Sequence, residues 1–386
     1  MRAVVLSGGG SKGSYQIGVW KALRKLRIKY DIVTGTSVGA LNGALMVQNK
    51  FHKAYKLWNK INMSTLFGED IQNPKTKKEL VKIYRTNFFK NGGMEVIELQ
   101  KLIDKNLNKN KFFKSKINYG LVTINLSGKK ALQLEKNRIK KEKLSDYLIA
   151  SASCYPAFQA KDIDGNKFID GGMFDNLPIN LAVKLGADEI IAVDLCAPGI
   201  KQRVKNKNKL DITTIKPNNK LSNFLYFNEE EAKININYGY NDTMKVFNKF
   251  YGKKYTFKKR HFIEITEDYK QVYIKKVEDI LHNKRMITLD IDSIDDKFML
   301  KIAEEVGKIF NIDDFKIYSF KKYNRLLMKN VKTITKNKKN NSNKINNIIN
   351  LYNACINNNY KDIGLKSIFS SKELLMAIYL YSVCEA

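Results

Sequence analysis

The order of apolar runs in the first part of the chain predicts an α/β fold with a mainly parallel sheet. Residues 3–6 form a short apolar run typical of a buried strand, and a second run, Ile32-Val33, follows later. Between them, apolar residues at positions 19, 22, 23 and 26 have the i, i+3, i+4, i+7 spacing of a helix. A nearly all-apolar helical run then ends at Val47. This strand–helix–strand–helix order favours parallel strands with helices on the sheet faces.

The second predicted strand ends in Gly35-Thr36-Ser37-Val38-Gly39, which matches the G-x-S-x-G pattern of a nucleophile elbow. Small residues two positions before and after the serine allow a tight strand-to-helix turn that exposes the hydroxyl. The pentapeptide alone is a common pattern. Its position between a strand and a buried helix makes Ser37 a candidate nucleophile.

The first predicted strand ends in a glycine loop, Gly8-Gly9-Gly10-Ser11-Lys12-Gly13. Its Gly8-x-Gly10-x-x-Gly13 spacing also matches a dinucleotide-binding fingerprint, for which Asp31 would be the ribose-binding acid. A Walker A loop is excluded because no G-K-[ST] is present. The third interpretation is an oxyanion hole, in which successive amides point at one spot. Neighbouring strand ends would place this loop beside Ser37, which favours the oxyanion hole over a plain tight turn.

A nucleophilic serine needs a base, and histidine is the usual one. The chain has three histidines, His52, His261 and His282, and none follows a predicted strand in a glycine-flanked turn. Lys12 could act in a Ser-Lys arrangement. Four carboxylates lie in the region of later turns: Asp162, Asp164, Asp170 and Asp175. Asp170 is the best placed of these because Gly171 and Gly172 follow it, although Asp-Gly is also a common turn former.

The rest of the chain predicts structure but no further chemistry. Three helices are expected between residues 51 and 108, two strands around Ser127-Gly128, a helix at 144–152, and a helix and a buried strand at 179–195. Beyond residue 200 we expect a basic loop, a helix within 221–250 that packs on the core, a strand at 261–265, a polar linker at 335–347 and an apolar helix at 374–384. The predicted domains are residues 1–200, 201–265 and 266–386.

Composition limits the class of protein. The four cysteines are far apart, which argues against a disulfide scaffold and a zinc site and suits a reducing cytoplasm. No apolar run resembles a signal peptide or reaches the length of a spanning helix. The net charge of +31 favours attraction to a polyanion or reflects lysines spread over solvated surfaces. We expect a cytoplasmic protein that could associate peripherally with an anionic inner membrane face, with no specific nucleic acid partner, metal or cofactor.

Taken together, the glycine loop, the elbow around Ser37 and Asp170-Gly171-Gly172 resemble the patatin-like phospholipase family. The segments LIASASCYPAF before Asp170 and DNLPINLAVKLGADEIIAVDL after it are also similar. The resemblance covers about residues 1–200. It implies a three-layer α/β/α fold, to which a helical C-terminal region is added here. It also implies a Ser-Asp dyad, with Ser37 as nucleophile, Asp170 as base and glycine-loop amides as oxyanion hole.

The implied activity is lipid acyl ester hydrolysis of the phospholipase A or lysophospholipase type, on a phospholipid or another acyl ester. Two alternatives belong to other classes. One is a dinucleotide-binding module that uses the glycine loop. The other is a non-catalytic basic scaffold or nucleic-acid-binding protein.

Overall fold

The computed structural model describes residues 1–71, 73–259, 262–284, 293–336, 342–363 and 372–386. These residues form two compact units, 1–246 and 247–386. The domain limits proposed from the sequence, at residues 200 and 265, remain predictions.

The first unit combines one sheet with surrounding helices. Its strands are β1 (Arg2–Leu6), β2 (Ile32–Thr36), β3 (Asn118–Asn125), β4 (Lys130–Glu135), β5 (Lys161–Ile163), β6 (Asn166–Asp170), β7 (Glu189–Val193) and β8 (Asp211–Ile215). Its helices are α1 (Gly13–Lys25), α2 (Val38–Val47), α3 (Phe51–Trp58), α4 (Met63–Phe67), α5 (Lys77–Asn91), α6 (Ile97–Asn106), α7 (Lys109–Lys114), α8 (Leu144–Ala152), α9 (Ile179–Lys184) and α10 (Glu229–Val246).

The strand order is β5-β6-β3-β2-β1-β7-β8, and β4 pairs with β3 outside this path. The pairs β3-β2, β2-β1, β1-β7 and β7-β8 are parallel, whereas β4, β5 and β6 are antiparallel to their neighbours. This mostly parallel sheet with helices around it confirms the predicted α/β class.

Both faces of the central strands are covered because alternate residues of a strand point to opposite faces. On one face, Ala3 and Val5 of β1 pack in one apolar cluster with Ile179 and Ala182 of α9. On the other face, Val33 of β2 lies beside α2. The sheet is therefore the middle layer between helices.

Helix α10 adds to the α2 side by packing on α1. The backbones approach closely where Gly18 of α1 meets Ile236 of α10, since a Cβ on Gly18 would lie 2.0 Å from the Ile236 carbonyl oxygen. The Tyr15 hydroxyl also donates a hydrogen bond of 3.1 Å to Oδ2 of the buried Asp242. Helix α10 thus lies within the 221–250 segment and packs on α1 of the first unit.

The second unit has its own apolar core and is largely helical. Its strands are β9 (Phe250–Tyr251), β10 (Thr256–Lys258) and β11 (Ile317–Tyr318), and its helices are α11 (Phe262–Asn283), α12 (Asp296–Ile309), α13 (Phe320–Lys336), α14 (Asn343–Ile356) and α15 (Lys372–Glu385). The core is rich in tyrosine and phenylalanine, and Tyr273, Phe257, Phe310 and Tyr323 are fully buried. The predicted helical C-terminal region is confirmed.

Two predictions in this unit are wrong in part. Residues 262–265 begin α11 rather than form a strand, because buried Tyr269, Tyr273 and Val277 continue the pattern at helical spacing. His261 lies outside the described residues. The predicted linker at 335–347 is helical at both ends, in α13 and α14, and its residues 337–341 lie outside the described residues. Among the described helices, none is long and apolar enough to cross a membrane.

Candidate active site

Strand β3 brings the two predicted dyad residues together. On one of its edges, β2 runs parallel and ends with Thr36 opposite Val122. On the same edge, β6 runs antiparallel and ends with Asp170 opposite Thr123, the next residue of β3. The other edge is occupied by β4, which spans both positions. Strands β2 and β6 therefore meet end to end, so that Ser37 and Asp170 face each other.

Ser37 has the strained backbone expected of an elbow, with φ 57° and ψ −129°. A non-glycine residue at such a positive φ is uncommon and is found most often where function requires it. Both residues of the pair are buried, since Ser37 is 8% exposed and Asp170 is 7% exposed. The predicted elbow geometry is present.

The Ser37 hydroxyl is close enough to the Asp170 carboxylate to favour its charged form. Burial raises the pKa of Asp170 to about 6, although the Ser37 hydroxyl and the hydrogen bond from the Gly172 amide act in the opposite direction. The Gly172 amide lies 2.7 Å from Oδ1 of Asp170. The carboxylate is thus held in place and is more basic than an exposed aspartate, which suits it to accept a proton.

The end of helix α8 fixes both partners. The hydroxyl of buried Ser151 accepts a hydrogen bond of 2.9 Å from the Ser37 amide and donates one of 2.7 Å to the Val122 carbonyl of β3. The carbonyl of Ser153 accepts a bond of 2.8 Å from the Asp170 amide. Sequence reasoning missed Ser151, because one serine in a run of serines and alanines carries no distinguishing signal.

Asp170 can approach β3 closely because glycine follows it. A Cβ on Gly171 would lie 2.3 Å from the Val122 carbonyl oxygen, so a larger residue would push the turn away from the strand. The glycines after Asp170 therefore have a steric role, as their pattern predicted.

The glycine loop lies beside Ser37, as the strand order predicted. Leu6 at the end of β1 pairs with Gly35 of β2, and a Cβ on Gly8 would lie 3.1 Å from the Ser37 Cβ. Four of its six amides already donate within the protein: Gly8 to Asn176, Ser11 to Phe224, Lys12 to Gly9, and Gly13 to Gly10 and Ser11. For the amides of Gly9 and Gly10, the described residues supply no acceptor. These two N–H groups remain available for an oxyanion.

The alternative bases lie elsewhere. Asp162 and Asp164 are exposed in the turn between β5 and β6, and Asp164 pairs with Lys143 at 2.5 Å. Asp175 is buried, and its carbonyl accepts a hydrogen bond from the Thr36 hydroxyl. His52 is exposed on α3, and His282 belongs to the second unit.

Neither Lys12 as a base for Ser37 nor Asp31 as a ribose-binding acid is placed where that role requires. The Lys12 ammonium lies 3.4 Å from the Cys196 carbonyl and lines a groove separate from the cavity at Ser37. Asp31 accepts a bond from the Arg2 amide at the beginning of β2, whereas the glycine loop follows the other end of the sheet. A ribose-binding acid would have to lie at that other end.

An apolar cavity opens from Ser37 and Gly10 and extends along α2 to Leu45. About 100 Å³ of this space admits the centre of a water-sized sphere. Its other walls come largely from leucine, isoleucine and phenylalanine side chains of α3, α4 and α6 and from Phe158 and Phe227. Since α2 rises about 1.5 Å per residue, the lining from Ser37 to Leu45 extends about 12 Å from the serine, along which part of a hydrocarbon chain could lie.

One polar side chain in the cavity wall, Asn42, is fully hydrogen-bonded to protein. Its amide nitrogen donates to the Gln16 side chain at 2.8 Å and to the Gly13 carbonyl at 3.0 Å, and its oxygen accepts from the Trp58 indole at 2.9 Å. Gln16 in turn donates to the Ser7 carbonyl, which precedes the glycine loop. This network ties the loop to the cavity wall. Asn42 is a polar residue in the otherwise apolar helix α2, and this feature of the sequence could have identified it as a residue with a specific partner.

The sequence model of the patatin-like phospholipase family matches residues 4–183, which include Ser37, Asp170 and the glycine loop. This segment belongs to the patatin-like phospholipase family. The matched patatin-like segment contains strands β1 to β6, together with α1 to α8 and most of α9.

Curated relatives share this segment. Lysophospholipase nte1 of Aspergillus terreus is 29% identical over 197 residues, and patatin-like phospholipase domain-containing protein 7 of Rattus norvegicus is 27% identical over 195 residues. Each match covers 50% of this chain but only 12% and 13% of the relative. Among solved structures, VipD from Legionella pneumophila is 13% identical with a TM-score of 0.41, over 99% of this chain and 91% of that chain.

The contacts of Ser151 generate a prediction about its role as a positioning residue. Ser151→Ala leaves the Ser37 amide and the Val122 carbonyl without their shared partner in a buried site. We expect a fluorophosphonate probe, which reacts with activated serines, to label Ser37 about 5- to 150-fold more slowly in this variant, from a cost of about 1–3 kcal/mol.

Ser153→Ala is the matched control, because within the described residues the buried Ser153 hydroxyl bonds to the Ile149 carbonyl of α8 and to no other group. Labelling is followed by mass spectrometry of the peptide that contains Ser37. Equal labelling rates in the Ser151 and Ser153 variants would contradict a positioning role for Ser151.

Proposed function

We propose that this protein is a lipid acyl hydrolase of the phospholipase A or lysophospholipase type. The observation that carries the proposal is the buried Ser37–Asp170 pair, which the strand registers bring together beside an apolar cavity. The family of residues 4–183 and the lysophospholipase name of the fungal relatives support the same substrate class.

The proposed reaction begins with Asp170 as general base. Its carboxylate accepts the Ser37 proton while Oγ attacks the ester carbonyl carbon. The amides of Gly9 and Gly10 donate to the resulting oxyanion, and such donors are each worth about 100- to 1000-fold in rate. Collapse of the tetrahedral intermediate breaks the ester C–O bond, and Asp170 returns the proton to the leaving alcohol. Water, deprotonated by Asp170, then attacks the acyl-enzyme and releases the fatty acid.

The cavity suits the apolar acyl part of such a substrate. An acyl chain along α2 would bury its methylene groups against leucine and phenylalanine side chains, which favours binding by about 0.8 kcal/mol per buried CH₂. The proposed reaction requires no metal or cofactor. The serine supplies the nucleophile, the aspartate supplies the base, and the backbone amides stabilise the oxyanion.

Hydrolysis assays on the full chain test the proposal. We expect fatty acid release from lysophospholipid or phospholipid by the wild type, and a loss of at least about 1000-fold in kcat/KM for Ser37→Ala and for Asp170→Asn. Asp164→Asn is the matched carboxylate control. It should retain wild-type activity, since Asp164 is exposed and its carboxylate pairs with Lys143 rather than with a residue of the site. Equal activity in wild type and Ser37→Ala would overturn the assignment.

The pKa of Asp170 leads to a separate expectation about pH. Because burial raises this pKa to about 6, the carboxylate is protonated below that pH and cannot accept the serine proton. We expect kcat/KM to be constant above about pH 7 and to fall tenfold for each pH unit well below 6. Fatty acid release should be measured directly, so that the readout itself does not titrate. A profile that stays flat down to pH 4.5 would refute Asp170 as the base.

A further inference from the structure

Helix α13 of the second unit carries an exposed row of positive charge. The helix contains no aspartate or glutamate. Its exposed basic residues, here called the basic stripe, are Lys321, Lys322, Arg325, Lys329, Lys332 and Lys336.

The basic stripe occupies one side of the helix. At about 100° per residue, its six side chains fall within an arc of about 100°. The buried residues Phe320, Tyr323, Leu327 and Val331 occupy an arc on the opposite side and belong to the core of the second unit. The stripe extends over the length of the helix, about 22 Å from Lys321 to Lys336. The core therefore fixes the direction in which the charges point.

The six charges of the stripe are not neutralised within the described residues. None of their side chains forms an ion pair or a hydrogen bond with a described residue, whereas exposed lysines nearby do, as in the 2.5 Å pair of Lys316 with Asp313. Cations three and four residues apart on a helix repel one another, so an external anion bound along the stripe would stabilise this arrangement.

We propose that the basic stripe is a docking surface for the anionic face of a lipid membrane. Clusters of four to eight lysines and arginines on an amphipathic helix suit anionic lipid head groups. The stripe is lysine-rich and has no exposed aromatic side chain between its charges, which differs from the arginine and stacking aromatics of nucleic acid readers. Because the described part of α13 exposes no apolar side chain between these charges, attachment through the stripe is electrostatic and reversible.

This proposal does not depend on the hydrolase activity. If both hold, the stripe brings the chain to the surface where its lipid substrate lies. Binding and hydrolysis are measured separately, so the failure of one is distinguishable from the failure of the other.

The test uses the full chain and sedimentation with vesicles of phosphatidylcholine alone or with 30% phosphatidylserine. We expect wild type to bind only the anionic vesicles at 0.1 M KCl and to dissociate at 0.5 M KCl, because salt screens the attraction. The variant K322Q/R325Q/K329Q/K332Q should bind at least about 100-fold more weakly, given the contribution of each basic residue near a charged surface.

The matched control is K116Q/K130Q/K140Q/K141Q, which removes four exposed lysines of the first unit and changes the net charge equally. It should retain binding close to wild type. An equal loss in both variants would overturn the stripe as the docking surface, because binding would then follow net charge alone. Salt-sensitive binding to RNA without binding to anionic vesicles would also overturn the proposal.

Both variants should show the far-UV circular dichroism spectrum and the thermal unfolding midpoint of the wild type. Lost vesicle binding in the stripe variant alone, with unfolding unchanged, supports the proposal whether or not the chain hydrolyses lipid.

Discussion

The site depends on the way two strands share one edge of β3. Strand β2 and antiparallel β6 end at consecutive residues, opposite Val122 and Thr123. The backbone hydrogen bonds of the sheet thus set the separation of Ser37 and Asp170, and neither side chain has to be positioned by a flexible loop. A one-residue slip in either register would turn one of these side chains to the other face of the sheet.

The same junction sets the electrostatics of the pair. The end of α8 covers it and supplies Ser151 to the Ser37 amide and the Ser153 carbonyl to the Asp170 amide. Burial raises the pKa of Asp170 to about 6, while the Ser37 hydroxyl and the hydrogen bond from the Gly172 amide favour the charged carboxylate. Burial, orientation and base strength therefore have one structural cause.

The local parts of the site were predictable from the sequence, and their assembly was not. The elbow, the glycine loop and Asp170-Gly171-Gly172 each have a short-range pattern that follows from steric needs. The adjacency of the first two also follows from parallel pairing. By contrast, nothing local to Asp170 indicates that β6 is antiparallel and continues the edge occupied by β2. Ser151 and the cavity depend on contacts between distant segments, and α11 was missed at 262–265 because a short apolar run fits a strand and a helix equally well.

Ser37 is proposed to form a covalent acyl-enzyme. Rapid quenching followed by mass spectrometry tests for this intermediate most directly. The protein is mixed with a lysophospholipid, quenched in acid within the first turnover and digested. We predict that the peptide spanning Ser37 carries the mass of the fatty acyl group in the wild type and not in Ser37→Ala. Fatty acid release by wild type with no acyl adduct on this peptide at any time, or an adduct on another residue that persists in Ser37→Ala, would contradict the account.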